Sequence, residues 1–291
     1  MSGNGARPHL SLAQELDPTT NWELREHGQA RGRATGSVLL LPGAMCTSAF
    51  YDDVVADPRV AGSDLRWVAA TPPGFGGRPV VKGFDPTIEA YAELTAQLAA
   101  HLGSDIIVGH SYFANVVLEL VATGRFTGRA VLLSPCFSAE DEEGDTKTLG
   151  RLARVPGLGR IVWGLLPRMM KVGMKGKFPA ERQGALVREM QRFNGSLTRK
   201  LLRNYFDYLN GHGSLAADLC DAGASTWVVR GDEDEIGLSD QDRTRLETGP
   251  TVELVLVPDA HHFVLVDQPA DVVDVILRAA VSEPSRRRAS T

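Results

Sequence analysis

A serine set between a strand and a helix is the first feature of this chain that could do chemistry. In Ile106-Ile107-Val108-Gly109-His110-Ser111-Tyr112-Phe113-Ala114, a run of buried-strand character passes through Gly-x-Ser straight into a helical pattern. A sharp strand-to-helix turn lifts a serine oxygen above the sheet. It also leaves the N–H after the serine, here that of Tyr112, free at a helix N-terminus to stabilise an oxyanion. Such a serine suits nucleophilic attack on a carbonyl. Gly-x-Ser alone is a weak signal; the strand–turn–helix context gives Ser111 its weight.

The elements that must position it can be read on either side. Ser37–Leu41, Leu65–Ala70, Asp105–Val108, Ala130–Leu133, Thr226–Arg230 and Val252–Val257 are short Val, Ile and Leu runs bounded by turn residues, as in strands buried on both faces. Helical patterns lie between them at Thr87–Leu102, Phe113–Ala122 and Ala270–Val281; Ile88, Tyr91, Leu94 and Leu98 recur at helical spacing. The alternation predicts an α/β fold, a mostly parallel central sheet flanked by helices. Residues 137–218 break the rhythm, with no strand pattern between two sheet strands. Leu149, Leu152, Val155 and Leu158 suggest one helix, interrupted near Pro156. Trp163, Leu165, Leu166, Met169, Met170 and Met174 suggest a second apolar face, and Leu186–Phe193 and Leu197–Leu209 read as further helices. The interval reads as a helical cap inserted into the sheet domain. The expected organisation is core 1–136, cap 137–218 and core 219–291, with polar tails at 1–18 and 283–291.

Composition narrows the class. With 43% hydrophobic and 23% charged residues the 291-residue chain is ordinary for a globular protein. No apolar run approaches the ~18–20 residues that span a bilayer. The first residues, Met1-Ser2-Gly3-Asn4-Gly5, carry no basic and apolar signal-peptide regions, and three cysteines (Cys46, Cys136, Cys220) at unrelated spacings suggest neither a disulfide framework nor a metal site. A cytoplasmic location is the simplest expectation. Residues 147–203 hold 14 Lys and Arg against two acids, Glu181 and Glu189, a net +12 in a chain of −5, so the remainder carries −17. The basic segment is either a solvated helical face or a surface for an anionic substrate, a lipid headgroup or an acidic carrier protein. The acidic remainder and the absence of a nucleic-acid-binding motif argue against nucleic acid.

Over residues 22–281 the sequence resembles the α/β-hydrolase superfamily, in its lid-containing, esterase- and lactonase-like branch with a serine nucleophile. Leu41-Pro42-Gly43-Ala44-Met45 matches the family's His-Gly-x stretch after its third strand, with Pro42 in place of the usual His. The match implies that Ala44 N–H completes an oxyanion hole with Tyr112 N–H. Thr71-Pro72-Pro73-Gly74-Phe75-Gly76-Gly77 looks like the family's Gly-rich turn; without a full G-x-G-x-x-G before a helix it is not a phosphate loop. Trp227-Val228-Val229-Arg230-Gly231-Asp232-Glu233-Asp234 fits the family's Gly-x-x-Asp, which selects Asp234 over Asp232 and Glu233. The family's other acid position, after the preceding strand, holds Cys136. His261-His262-Phe263-Val264-Leu265-Val266-Asp267-Gln268-Pro269 resembles the Gly-His-x5-Gln-Pro stretch, which selects His262 and puts His261 at the usual glycine. Adjacent histidines diverge, and no acid or cysteine spacing beside them supports zinc. Ser111, Asp234 and His262 then fall in the order expected of this fold. One departure is Phe113, two residues after the serine, where the family usually has Gly. A bulky side chain there must point away from the strand, or the turn must relax.

The resemblance implies an acyl-enzyme mechanism on Ser111 with His262 as base, Asp234 as its orienting acid, and no metal or organic cofactor. A serine nucleophile argues against the dehalogenase and epoxide hydrolase chemistries of the same fold, which use Asp there. Met45, His110, Phe113, Cys136, Trp163, Met170 and Phe263 are the candidates for a substrate pocket. The first expectation is a small-molecule carboxylic ester or lactone with a hydrophobic portion. A carrier-bound thioester, a carbon–carbon bond in a dioxo acid, and a non-catalytic ligand-binding role are the alternatives.

Overall fold

The computed structural model describes residues 17–29, 32–142, 144–155, 163, 166 and 172–282. Seven strands form one sheet in the order β1-β3-β2-β4-β5-β6-β7. They are β1 (Glu23–Gly28), β2 (Gly36–Leu41), β3 (Leu65–Thr71), β4 (Ile106–His110), β5 (Arg129–Leu133), β6 (Thr226–Gly231) and β7 (Val252–Val257). All neighbours are parallel except β1, which runs antiparallel to β3 with Glu23 opposite Thr71 and Gly28 opposite Arg66. The result is a mostly parallel sheet flanked by helices, with one antiparallel edge strand.

Successive side chains of a strand point to opposite faces, so a strand buried on both sides feeds two cores. In β2, Leu39 and Leu41 join one core with the helices Ile88–Leu102 and Tyr112–Ala122. Val38 and Leu40 join the other, with Val272, Val273, Val275 and Ile276 of the helix Pro269–Val281. Ile107 and Val108 of β4 divide in the same way. Sequence limits and observed limits agree to within one or two residues for the six apolar strands and the three core helices.

Strand β1 lacks that signature. Its sequence ELREHG has one apolar residue, Leu24, and is held by ladder hydrogen bonds and by charge. Arg66 reaches back to Glu26 at 2.6 Å, and Arg25 pairs with Asp52 at 2.7 Å. Charged side chains on an edge strand also discourage pairing with a second chain.

Between β5 and β6 lie the helices Gly144–Ala153, Ala180–Met190 and Gly195–Gly211. Asn194 caps the last, its Oδ1 accepting from the N–H groups of Ser196 and Leu197. A further helix, Leu215–Ala222, contains residue 218, where the sequence places the end of the insertion. Leu215, Ala216 and Leu219 join the core around the helix Tyr112–Ala122, so this helix belongs to the sheet's flanking layer. Leu158, Leu165, Met169, Met170 and the tails at 1–16 and 283–291 lie outside the described residues. Among the described residues no helix is long and apolar enough to cross a membrane, and all three cysteines are free thiols.

Candidate active site

Strand β4 ends at His110, and the helix begins at Tyr112. Ser111 alone makes the turn, with φ 52° and ψ −119°, a left-handed conformation that costs a non-glycine residue roughly 1–3 kcal/mol. The turn is fixed from both sides. Ser111 N–H donates to the Leu133 carbonyl at the end of β5 at 2.8 Å, and the Ser111 carbonyl accepts from Ala114 and Asn115. Tyr112 N–H opens the helix and has no acceptor within it, at the positive end of the helix dipole. The close approach falls on Gly109, where a Cβ would lie 2.2 Å from the Phe113 carbonyl oxygen. Only glycine fits there. Phe113 itself turns away from the strand into a cluster of rings with Phe75, Tyr91 and Tyr112 at 5.3–5.7 Å. The bulky residue therefore coexists with a sharp turn.

Asp234 sits in the turn after β6, its N–H donating to the Gly231 carbonyl at 3.3 Å. His262 sits in the turn after β7. The three side chains meet at the carboxyl ends of the strands: His262 Nδ1 is 3.1 Å from Asp234 Oδ1, and His262 Nε2 is 3.0 Å from Ser111 Oγ. Ionised Asp234 can only accept, so Nδ1 carries the proton and Nε2 offers its lone pair to the serine hydroxyl. The neighbouring candidates go elsewhere. Exposed His261 contacts Glu233 and Asp267, and the Asp232 carboxylate accepts from the Ala260 N–H at 3.5 Å.

Burial alone would raise the Asp234 carboxyl. The His262 hydrogen bond and charge, Arg230 and the Ile236 N–H outweigh it and hold the group down at about 2. Burial would lower His262, but the hydrogen bond and charge of Asp234 outweigh that and lift it above the ordinary histidine value. His110 behaves differently. It is fully buried, and burial, with His262 close by, pushes it down to about 3. It is therefore neutral; its Nε2–H donates to the His262 carbonyl at 3.0 Å, which anchors the histidine turn rather than offering a second base.

The loop after β2 brings Ala44 and Met45 beside this turn. A Cβ on Gly43 would lie 2.8 Å from His110 Nδ1 and 3.1 Å from Ser111 Cβ, so glycine lets the loop close on the nucleophile. Met45 has φ 61°, and Cys46 N–H returns to the Gly43 carbonyl at 3.1 Å. Met45 lines a cleft with Gly74, Phe75, Phe193, Leu197, Thr198 and Leu201. The other expected pocket residues are placed differently. Phe113 is fully buried behind Phe75, a core residue rather than a wall of this cleft, because its ring completes the aromatic cluster. Cys136 is buried, its backbone held on both sides by the Asn115 amide. Trp163 is buried with its carbonyl against Gly195, and Met170 lies outside the described residues. Phe263 stacks with Phe50 and Phe178 at 5.8 and 4.8 Å and lies 5.2 Å from the His110 ring.

Arg230, Glu235, Lys177, Tyr205 and Glu142 join the site beyond the expected triad. Arg230 lies behind Asp234. Glu235 accepts the His262 N–H at 3.3 Å and pairs with Lys177 at 2.5 Å. The Tyr205 hydroxyl donates at 2.8 Å to Glu142, a buried carboxylate whose charge reaches His262. A charge after Gly231 or in a helical stretch looks solvated until the turns are folded together.

The Alpha/beta hydrolase family profile matches residues 38–275. Solved structures of the same fold include a thermophilic esterase from Thermogutta terrifontis, with a TM-score of 0.64 at 18% identity over 88% of this chain and 92% of that one. A hydrolase from Oleispira antarctica gives 0.68 at 15% identity, over 91% and 97%. The enol-lactonase from Burkholderia xenovorans LB400 gives 0.64 at 17%, over 90% and 96%. No curated sequence relative matches the chain. The profile spans both halves of the sheet and every segment that meets at the serine, and the chain belongs to the alpha/beta hydrolase family.

Proposed function

We propose that the chain is a serine hydrolase acting on a small-molecule carboxylic ester or lactone with an apolar portion. The observation that carries this reading is the unbroken hydrogen-bond chain from Asp234 through His262 to Ser111, at 3.1 and 3.0 Å. Ser111 Oγ attacks the carbonyl carbon as its proton passes to His262 Nε2. Asp234 holds the tautomer and stabilises the imidazolium, and the N–H groups of Ala44 and Tyr112 receive the oxyanion. His262 then gives the proton to the leaving alkoxide. Water, deprotonated by His262, releases the acid and restores the serine.

The helices within 137–218 act as a cap in this reading. The apolar side chains of Met45, Phe75, Leu197 and Leu201 would contact the hydrophobic portion. The esterase and enol-lactonase neighbours are in keeping with an ester or lactone. Labelling with a fluorophosphonate tests the enzyme reading: the wild-type chain takes up one label and Ser111→Ala takes none. An unlabelled wild type would favour a ligand-binding role. A panel of p-nitrophenyl esters of increasing chain length, with lactones and acyl thioesters beside them, then assigns the bond.

A further inference from the structure

Asp234 is satisfied on one oxygen only. Oδ1 receives the His262 Nδ1–H at 3.1 Å and the Ile236 N–H at 3.0 Å, while Oδ2 has no hydrogen-bond partner among the described residues although the side chain is 1% exposed. Leaving a buried carboxylate oxygen without a donor is costly unless charge compensates. What faces Oδ2 is the guanidinium of Arg230, 3.7 Å away and itself 5% exposed. Its hydrogen bonds go to main chain instead, Nη1 to the Pro135 carbonyl at 3.3 Å and Nη2 to the Ile236 carbonyl. Pro135 follows β5, and Ile236 lies in the acid turn beyond β6. A buried Arg that served only to neutralise a carboxylate would meet it with two parallel N–H bonds. Here the fork ties two loops together and leaves its charge behind the carboxylate.

Resting on the triad reading above, we propose that Arg230 is a positioning residue for Asp234: it pins the acid turn to the end of β5 and directs Oδ1, not Oδ2, to His262. The arrangement has an electrostatic consequence. A cation behind Asp234 opposes the gain of a second cation on His262, so without it the imidazole keeps its proton to higher pH. His262 is faced by Asp234, by Glu235 with Lys177 behind it, by buried Glu142, and by neutral His110. Exposed His261 stands next to it with Glu233 and Asp267. Arg230 is felt by Asp234, the Cys136 thiol, Asp141 and Arg243.

The test uses the full chain, with kcat and KM for p-nitrophenyl butyrate and the rate of fluorophosphonate labelling from about pH 5 to about pH 10. Arg230→Gln, which keeps donors but no charge, should lower kcat roughly 10- to 100-fold with KM within about twofold. Its acid limb should move up by roughly one pH unit. Arg230→Lys should keep the limb in place. In an Asp234→Asn background, Arg230→Gln should cost less than about threefold more, because its effect runs through the missing carboxylate. Equal losses in both backgrounds, or a limb that moves as far in Arg230→Lys as in Arg230→Gln, would overturn the proposal. If Arg230→Gln fails to fold, Arg230→Lys in the two backgrounds carries the same non-additivity test. A wild type that takes no label sinks the hydrolase reading instead; a labelled wild type with unaffected Arg230 variants sinks this inference alone.

Discussion

Asp234→Asn separates the buried acid from its neighbours. The substitution keeps size and removes the charge that lies 3.1 Å from His262 Nδ1. With charge centres about 4 Å apart and an effective dielectric near 20, that charge stabilises the imidazolium by roughly 4 kcal/mol, or about 10³ in rate. A second loss adds to it. An Asn amide can donate to Nδ1, which places the imidazole proton on Nε2 facing Ser111 and removes the base. Together they predict a fall in kcat of about 10³–10⁴, with KM little changed. Asp232→Asn should lose less than about threefold, since exposed Asp232 makes a long contact to the Ala260 N–H. The assay is steady-state hydrolysis of p-nitrophenyl butyrate, with a melting curve of each variant. The reasoning is refuted if a folded Asp234→Asn protein stays within tenfold of wild type while Asp232→Asn or Glu233→Gln collapses.

Ser111→Ala should lower kcat by roughly 10³–10⁶, leaving what binding and the oxyanion site supply, measured on the same ester. His262→Ala should lose orders of magnitude and His261→Ala far less, because His261 faces Glu233 and Asp267 at the surface; the reverse order in a side-by-side assay would shift the register by one. In kcat/KM against pH, activity should rise as His262 loses its proton, with a midpoint above the ordinary histidine value of about 6.5 because Asp234 lifts it. A midpoint at or below that value would contradict the assigned pairing.

What could be read in the sequence was what has a period or a forced turn. Continuous apolar runs along β2, β3 and β4 made them visible, because both faces of each strand feed a core. Strand β1 was not visible, since its order comes from ladder bonds to β3 and from the Arg66–Glu26 pair, which are invisible in ELREHG. Ser111 could be found because a strand, Gly109 and a helix must follow one another to make its turn. Arg230 and Glu235 could not, because their partners Pro135, Ile236, Lys177 and His262 come from distant segments or other turns. The apolar face of Leu215–Ala222 looks the same whether it covers a pocket or a sheet, and only packing against the helix Tyr112–Ala122 settles which.

The charge asymmetry acquires a physical cause in the same way. The basic segment faces carboxylates contributed by the acidic remainder. Arg182 reaches Asp53 at 2.9 Å and Asp52 at 3.7 Å, beside the loop that carries Met45. Lys177 meets Glu235, and Arg154 meets Asp207, both at 2.5 Å. Arg199 caps the carbonyls of Ala153 and Val155, joining two helices of the insertion. Such exposed pairs contribute about 0–1 kcal/mol each, so they orient more than they stabilise. Burial does the holding, with Phe178 between Phe50 and Phe263 on one side and Tyr205 and Phe206 on the other. The Lys177–Glu235 contact places one pair of the basic segment directly against the main chain of His262.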